Sequence, residues 1–351
     1  MNYVGIDLHK KTIVLCVMDQ DRKVLHRKTF ACCQTEAILE FFRGLGTFRA
    51  VVEATASYEW LAELLDPLAE RIVLCDPRRF RVIAESDKKT DRHDAYLLAE
   101  YLVLGKIPEA FRPSRRQREH RAFVRQRQHL KQSTTTLKNK MRRIASDYNA
   151  DRKDLFTAEG WKTLQAVDLR AADRFVLEQL HATWRHLEAQ ILELGKQLKL
   201  FAAKAPAKEA EARAKLATIP GVGPVTIDVV VSELGDVTRF KSTKATAAYS
   251  GLVPKVRDSD KKRKDLPITK AGSPLLRWAL VEAAWRVVRQ SATWRRIYED
   301  IKKRAGGKKA IVAVARRLLM VMTAMLRDGT NYWFARVGEP PTRNPEHVPA
   351  T

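Results

Sequence analysis

The sequence predicts an α/β domain followed by a mostly helical remainder, the class α/β plus α. Three observations predict it. Over residues 1–112, short β-rich runs alternate with amphipathic helical stretches. Between 113 and 202, apolar residues recur at spacings of three, four and seven, as in long helices that pair along a seam. From about 209 onward the periodicity is again helical, broken by Gly- and Pro-containing turns and one basic stretch. At roughly 100–200 residues per domain, 351 residues suggest two or three domains. The pattern divides the chain into 1–112, 113–208, 209–336 and a Pro-rich tail, 337–351, expected to be disordered.

In the first region, YVGIDLH, TIVLCVMD and RKVLHRKTF read as three strands able to form an antiparallel meander. QTEAILEFFRGLG is an amphipathic helix ended by glycine. FRAVVEAT is a strand, YEWLAELLDPLAE a helix, RIVLCD a strand, and TDRHDAYLLAEYLVLG a helix capped by Thr90. The order is βββαβαβα, with the later strands joined through helices.

The stretch 113–143 holds eleven Lys or Arg and one Glu. Phe123, Leu130, Leu137 and Ile144 recur every seven residues with Met141 between them, which predicts a long helix with a thin apolar seam and a basic surface. Leu177, Leu180, Trp184, Leu187, Ile191, Leu194 and Leu198 give a clearer heptad seam. The two helices are expected to pair as a coiled coil, as an antiparallel hairpin within one chain or between chains. Residues 201–215 carry a Pro break and read as a hinge.

Composition narrows the function classes. No apolar run reaches 18 residues, which argues against a membrane span. Asp7 interrupts what a signal peptide would keep apolar, so a cytoplasmic protein is expected, associated with the nucleoid when active. Cys16, Cys32, Cys33 and Cys75 form no CxxC pair, so they read as reduced thiols in or near a core rather than zinc ligands. The 65 Lys plus Arg against 41 Asp plus Glu give a net charge of +24, which favours a polyanionic partner, most simply nucleic acid. The helix cations Arg115, Arg116, Arg118, Arg121, Arg125, Arg127, Lys131, Lys138, Lys140, Arg142 and Arg143 are the first candidates for phosphate contacts.

Against that background four acids stand out. Val4, Ile6 and Leu8 face one side of the first strand, Gly5 and Asp7 the other. Glu53 ends a hydrophobic strand, and Asp91 and Asp94 lie one turn apart at a helix start. Acids in such settings are costly without a counter-charge. A divalent cation, Mg²⁺ or Mn²⁺, meets the need of all four, and two such ions can clamp a phosphodiester. His93, between the aspartates, reads as a helix-surface residue rather than a ligand.

Taken together, GIDLHK, VVEATASYEW and KTDRHDAYLLAEY, followed by IPGVG, AAYSGLVP and ITKAGSPLLRWAL, resemble the RuvC-like DEDD transposases of insertion sequences. That family includes Piv-type DNA invertases and bridge-RNA-guided recombinases. The resemblance implies a ribonuclease-H-like first domain, with Asp7, Glu53, Asp91 and Asp94 as its metal-binding acids. It implies a C-terminal transposase domain whose serine falls on Ser259, although the flanking Asp258 and Asp260 depart from the Glu-Ser-Gly context expected of relatives. Read from the residues alone, Ser259 is a turn serine in a polar loop. It needs activation from elsewhere in the chain or another subunit, since no histidine lies near it in sequence. The resemblance further implies donor and target DNA, a guide (bridge) RNA, and a homodimer or homotetramer. A structure-specific nuclease of the same fold, with water as nucleophile, is the alternative, and a non-catalytic binder the third reading.

Two further basic features complete the expected interface. Lys255, Arg257, Lys261, Lys262, Arg263 and Lys264 crowd a loop around the serine, and Thr269, Lys270 and Gly272 look like the start of the next helix. The IPGVG turn reads either as a helix-hairpin-helix element, with Gly221 and Gly223 admitting a phosphate to backbone N–H groups, or as a simple tight turn between packed helices.

Overall fold

Alternation along the first strand sets the architecture of the N-terminal unit. β1 (Asn2–Leu8) pairs antiparallel with β2 (Thr12–Met18), which pairs antiparallel with β3 (Val24–Ala31). β4 (Phe48–Glu53) lies parallel to β1, and β5 (Arg71–Cys75) parallel to β4, giving the sheet order β3-β2-β1-β4-β5. The meander and the crossover strands expected from the sequence are both present. This computed structural model describes residues 1–55, 57–80, 90–259 and 262–332, the side chains of 256–259 and 262–265 excepted.

The two sheet faces are covered by different helices. Val4, Ile6, Leu8, Ile13, Leu15 and Val17 bury one face against Ile38 and Phe42 of α1 (Thr35–Gly44) and Leu61 and Leu65 of α2 (Glu59–Leu65). The second helix is shorter than its sequence pattern because Pro67, which follows the still helical Asp66, offers no N–H to continue the ladder. On the other face, Val14, Cys16 and Met18 pack with Ala95 and Ala99 of α3 (Asp91–Val103). Small residues at 95 and 99, together with Gly5 on β1, bring helix and strand backbones into near contact. A Cβ built on Gly5 would fall 2.1 Å from the Ala95 carbonyl oxygen and 2.4 Å from the Ala99 nitrogen.

From Pro113 onward the chain forms a second compact unit. α4 (Arg115–Asp147) and α6 (Ala171–Ala203) are each 33 residues long and run antiparallel: Lys131 meets Glu188, Arg116 reaches the Phe201 carbonyl, and Met141 and Ala145 share a cluster with Leu177 and Trp184. The two helices pack along each other within this chain. On α6 the heptad line is buried at Leu177, Trp184, Ile191 and Leu198. On α4 the buried line differs from the expected one. Leu130 and Met141 are buried, but Phe123, Leu137 and Ile144 are only partly covered, and Val124, Thr134 and Ala145 lie deeper. A packed helix buries a stripe wider than one heptad position, and the small residues at 134 and 145 let the helices approach.

The short α5 (Ala158–Gln165) closes the far end of the pair. Near its other end the chain passes the break at Pro206 into α7 (Ala207–Ala217), α8 (Pro224–Leu234) and α9 (Thr243–Tyr249). It then enters β6 (Pro254–Ser259) and β7 (Lys262–Ile268), and ends in α10 (Pro274–Gln290), α11 (Ala292–Ala305) and α12 (Gly307–Asp328). Val124 and Leu198 of the long pair belong to the same core as these C-terminal helices, around Leu280, Ala284, Leu318 and Met322.

Two expectations need correction here. The basic stretch after GLVP is a two-stranded antiparallel hairpin rather than a loop. The following helix starts at Pro274 with Ser273 as its cap, accepting from the Leu276 N–H, so Thr269, Lys270 and Gly272 precede it. The physical reason is packing between two glycine motifs. Gly251 has φ of +71°, a Cβ there would fall 2.6 Å from the Ala271 nitrogen, and one on Gly272 would fall 2.0 Å from the Tyr249 carbonyl. That backbone contact holds 269–272 in a turn and leaves no room for a helical start.

Candidate active site and nucleic-acid interface

The end of β1, the end of β4 and the start of α3 converge. The parallel register Ile6↔Val52 places Asp7 and Glu53 at the adjoining position on neighbouring strands, both on the face covered by α3. Thr90 caps that helix, its side-chain oxygen accepting from the His93 N–H at 3.3 Å. The cap fixes where the helix begins, and so where Asp91 and Asp94 stand in its first turn.

Asp7, His9 and Asp91 each offer a ligand atom within 4.8 Å of the others. His9 Nε2 lies 3.1 Å from Asp7 Oδ2 and 3.3 Å from Asp91 Oδ1. Burial pushes the Asp7 carboxyl above the usual range; His9 opposes the shift, and Asp91 and Asp94 add to it. Burial also pushes Glu53 up, with further contributions from Asp7 and Asp94. Asp7 is thus coupled to Asp91 and Asp94, and Glu53 to Asp7 and Asp94. For His9, burial disfavours the charged ring, but Asp7 and Asp91 outweigh it and raise the imidazole above its ordinary value. The His9 ring is thus the polar partner that Asp7 and Asp91 find in the chain itself.

Sequence reading missed His9. The signal was in GIDLHK: two residues beyond Asp7, at the strand end, a side chain returns to the same side. His93 is partly buried and its ring stacks with Tyr96 at 6.2 Å, in keeping with a helix-surface role. Cys75, buried at the end of β5, has its thiol pushed up to about 12 by burial and then by Glu53 and Asp76, an inert thiol. Cys16 is likewise buried, whereas Cys33 is exposed rather than in a core.

The cations of α4 divide into two sets. Arg116 binds Glu209 and the Phe201 carbonyl, Arg118 donates to the Pro113 carbonyl, and Arg121 donates to the carbonyls of Ser232 and Glu233. Arg125 makes a two-pronged pair with Glu233, at 3.0 and 3.1 Å. Lys131 meets Glu188, Arg142 meets Asp151, and Lys138 sits 4.9 Å over the rings of Phe156 and Trp184. These tie the helix to its neighbours. Lys140 and Arg143 are exposed, Arg115 is exposed with Glu119 one turn on, and Arg127 is half-buried beside Trp278. The anions that relieve this helix's charge therefore come partly from distant carboxylates of the same unit.

The hairpin pairs Ser259 with Lys262, Asp258 with Arg263 and Arg257 with Lys264 at its tip; Lys261 lies outside the described residues. At its base the Thr269 N–H donates to the Val253 carbonyl, the Lys270 N–H donates to the Gly251 carbonyl, and Arg277 reaches the carbonyls of Ser250 and Gly272. Lys255 and Lys270 are exposed beside that base. In the IPGVG turn, Gly221 has φ of +82°, and an added Cβ would meet the Arg286 Cβ at 2.8 Å. Close packing on α10 is one demand for glycine there. Gly223 faces more open space, with Arg286 Nη1 3.8 Å from its added Cβ.

Carboxylates thus stand at two adjoining strand ends of a mixed five-stranded sheet and at a helix start. Residues 4–149 match the DEDD transposase family model of the IS110 group, and residues 213–299 match the transposase IS116/IS110/IS902 family, about two thirds of the chain between them. The chain belongs to this IS110-type transposase family, whose members are DNA-recombining enzymes. It is similar to the "Probable family 20 transposase" of Pseudomonas aeruginosa, 26% identical over 95% of this chain and 98% of that protein. It is 25% identical to the transposase for insertion sequence element IS1111A of Coxiella burnetii, over 94% and 90% of the two chains. It is also 27% identical to the pilin gene-inverting protein of Moraxella lacunata, over 93% and 96%.

Proposed function

We propose that this chain cuts and rejoins DNA strands with a divalent cation held by Asp7, Glu53, Asp91 and Asp94, with His9 as a nitrogen donor, and with Ser259 as the nucleophile. The observation that carries the reading is the meeting of Asp7, His9 and Asp91 ligand atoms within 4.8 Å, at the end of a strand whose neighbour ends in Glu53. The donor set fits Mg²⁺ or Mn²⁺: carboxylate oxygens predominate, and Mn²⁺ accepts the imidazole as well. When bound, the ion supplies charge stabilisation at the phosphate and polarises the attacking and leaving oxygens.

The chain's own residues do the rest. Asp7 and Glu53 are held by strand pairing, so their separation is set by the sheet; Asp91 and Asp94 are held by the Thr90 cap. Asp7 and Glu53 are partly buried, which strengthens their electrostatic interactions, while His9 and Asp91 open the site to solvent and to a substrate. Ser259 sits on a hairpin anchored at its base, and the basic residues Arg257, Lys262, Arg263 and Lys264 along its strands draw the DNA backbone to it. Its Oγ bonds to phosphorus as the bond from phosphorus to a deoxyribose oxygen breaks; the serine proton is lost, and the departing oxygen takes one up. The resulting phosphoserine ester conserves the bond energy, and attack by another deoxyribose hydroxyl reverses the step and reseals the strand. A bridge RNA that pairs with donor and target would supply sequence choice, and a dimer or tetramer would supply the several sites that strand exchange needs.

The test is a denaturing gel. The protein is incubated with Mg²⁺, nicked or junction DNA and the non-coding RNA flanking its gene. A protein–DNA adduct with the native chain and none with Ser259→Ala supports the reading. Cleavage that survives Ser259→Ala assigns water as nucleophile, and binding without cleavage in the native chain removes the catalytic role.

A further inference from the structure

Helices α4 and α10 leave a groove of about 670 Å³ between them. Its walls are Gln128, His129 and Gln132 on one side and Ser273, Leu275 and Trp278 on the other. Trp278 is 42% exposed, an unusual state for the largest apolar side chain. Among the described residues no carboxylate lines this groove itself, and Asp228 lines the recess beside it. Arg125 stands at its rim, and Arg127 lines the adjoining recess, which shares Gln128, Leu275 and Trp278.

We propose that this groove binds an unpaired nucleotide of a nucleic-acid strand, its base stacked on Trp278 and its phosphate facing Arg127 and the start of α10. Four features select that occupant. An indole with an open face offers stacking to any base. The amides of Gln128 and Gln132 present both donors and acceptors, which suits a base edge. Arg127 and the start of α10 supply the positive side that a phosphate needs, with Asp228 sharing the recess of Arg127 and Glu233 holding Arg125. Finally, a base in a duplex is already stacked on both faces, so only an unpaired one has a face to give. The inference rests on the nucleic-acid partner in the function proposed above, and on neither its metal nor its serine.

The test measures binding by the full-length protein without added divalent metal, so loss of cleavage chemistry does not bear on it. Labelled short oligothymidylate, oligouridylate and a short duplex are titrated against native protein, Trp278→Ala and Trp278→Phe, with fold checked by circular dichroism and mass by light scattering. Trp278→Ala is expected to weaken single-strand binding about 5- to 100-fold, from about 1–3 kcal/mol per stacked base. Duplex affinity and the salt dependence should stay unchanged, because the lost contact carries no charge. Trp278→Phe should keep most of the affinity. The oligothymidylate and oligouridylate arms show whether the strand is DNA or RNA. Unchanged single-strand affinity in Trp278→Ala, an equal loss on the duplex, or a fall in oligomeric mass that places the indole between copies would each overturn the proposal.

Discussion

Substituting Gly5 by alanine tests the coupling between packing and site most directly. Away from tertiary contacts, alanine in a strand is favoured over glycine by roughly 0.5–1 kcal/mol. Here the new methyl would fall 2.1 Å from the Ala95 carbonyl oxygen and 2.4 Å from the Ala99 nitrogen, both backbone atoms that no rotamer change can remove. Ordinary contact needs about 3.5 Å, so α3 must retreat by at least ~1 Å. Overpacking of this kind costs about 1–3 kcal/mol. The same retreat carries Asp91 and Asp94 away from Asp7, and a misplacement of about 1 Å can cost ~100-fold in rate. Thermal unfolding should show the N-terminal unit losing about 4–8 °C per kcal/mol, and strand cutting with Mg²⁺ should fall about 100-fold while DNA binding persists. Native melting together with native cutting would refute the claim that strand-to-helix contact at Gly5 sets the acid geometry.

Four further outcomes follow from the same physics. Asp7→Asn and Asp94→Asn should each abolish strand cutting with DNA binding retained in a gel shift, and undiminished cutting in either would remove that acid from the metal set. His9→Ala should weaken Mn²⁺ more than Mg²⁺ in calorimetric titration, because the lost donor is nitrogen; equal loss for both ions would place His9 outside the ligands. Glu233→Gln should destabilise the second unit by about 1–3 kcal/mol in urea melts, since Glu233 is 3% exposed and Arg125 and Arg121 converge on it. Asp236 is held near 2 by hydrogen bonds from Lys208 and the Thr238 backbone. Its folded value lies below its ordinary one, so its contribution to stability is present above about pH 4 and is lost as pH falls through about 2. Asp236→Asn should therefore flatten the acid limb of the stability curve there, and an unchanged limb would contradict it.

Much of the N-terminal unit was legible because its signals are local. Alternation at Val4, Ile6 and Leu8, the Thr90 cap and the glycine after α1 each depend on a few neighbouring residues. The site acids stood out for a related reason: Asp7 and Glu53 break the strand pattern with charges that the core alone would not keep. His9 did not stand out because an exposed histidine after a strand has many ordinary explanations; only the fold brings Asp91 to it. The basic hairpin around Ser259 was read as a loop because KVRDSDKKRKD lacks the β-branched alternation that marks a strand. Its base is closed instead by the backbone contact between the motifs of Gly251 and Gly272, which flank it on either side. The long helix's charge misled for the converse reason. Arg116, Arg121 and Arg125 look like free phosphate ligands until Glu209 and Glu233, about a hundred residues away, are placed beside them.

Those ties have a mechanical consequence. Arg116 joins Glu209, Glu209 joins Arg213, Arg213 joins Asp228, and Asp228 joins the buried His120, so α4, α7 and α8 are riveted across the bend at Pro206. A pair of 33-residue helices fixed in this way at one end is a strut about 50 Å long, or roughly one and a half turns of double helix. Its far tip, around α5, is set off from the root by a fixed span. The strut can be shortened only in steps of a matched heptad from both helices, about 10 Å at a time, so that the distance it gauges is quantised by its own seam.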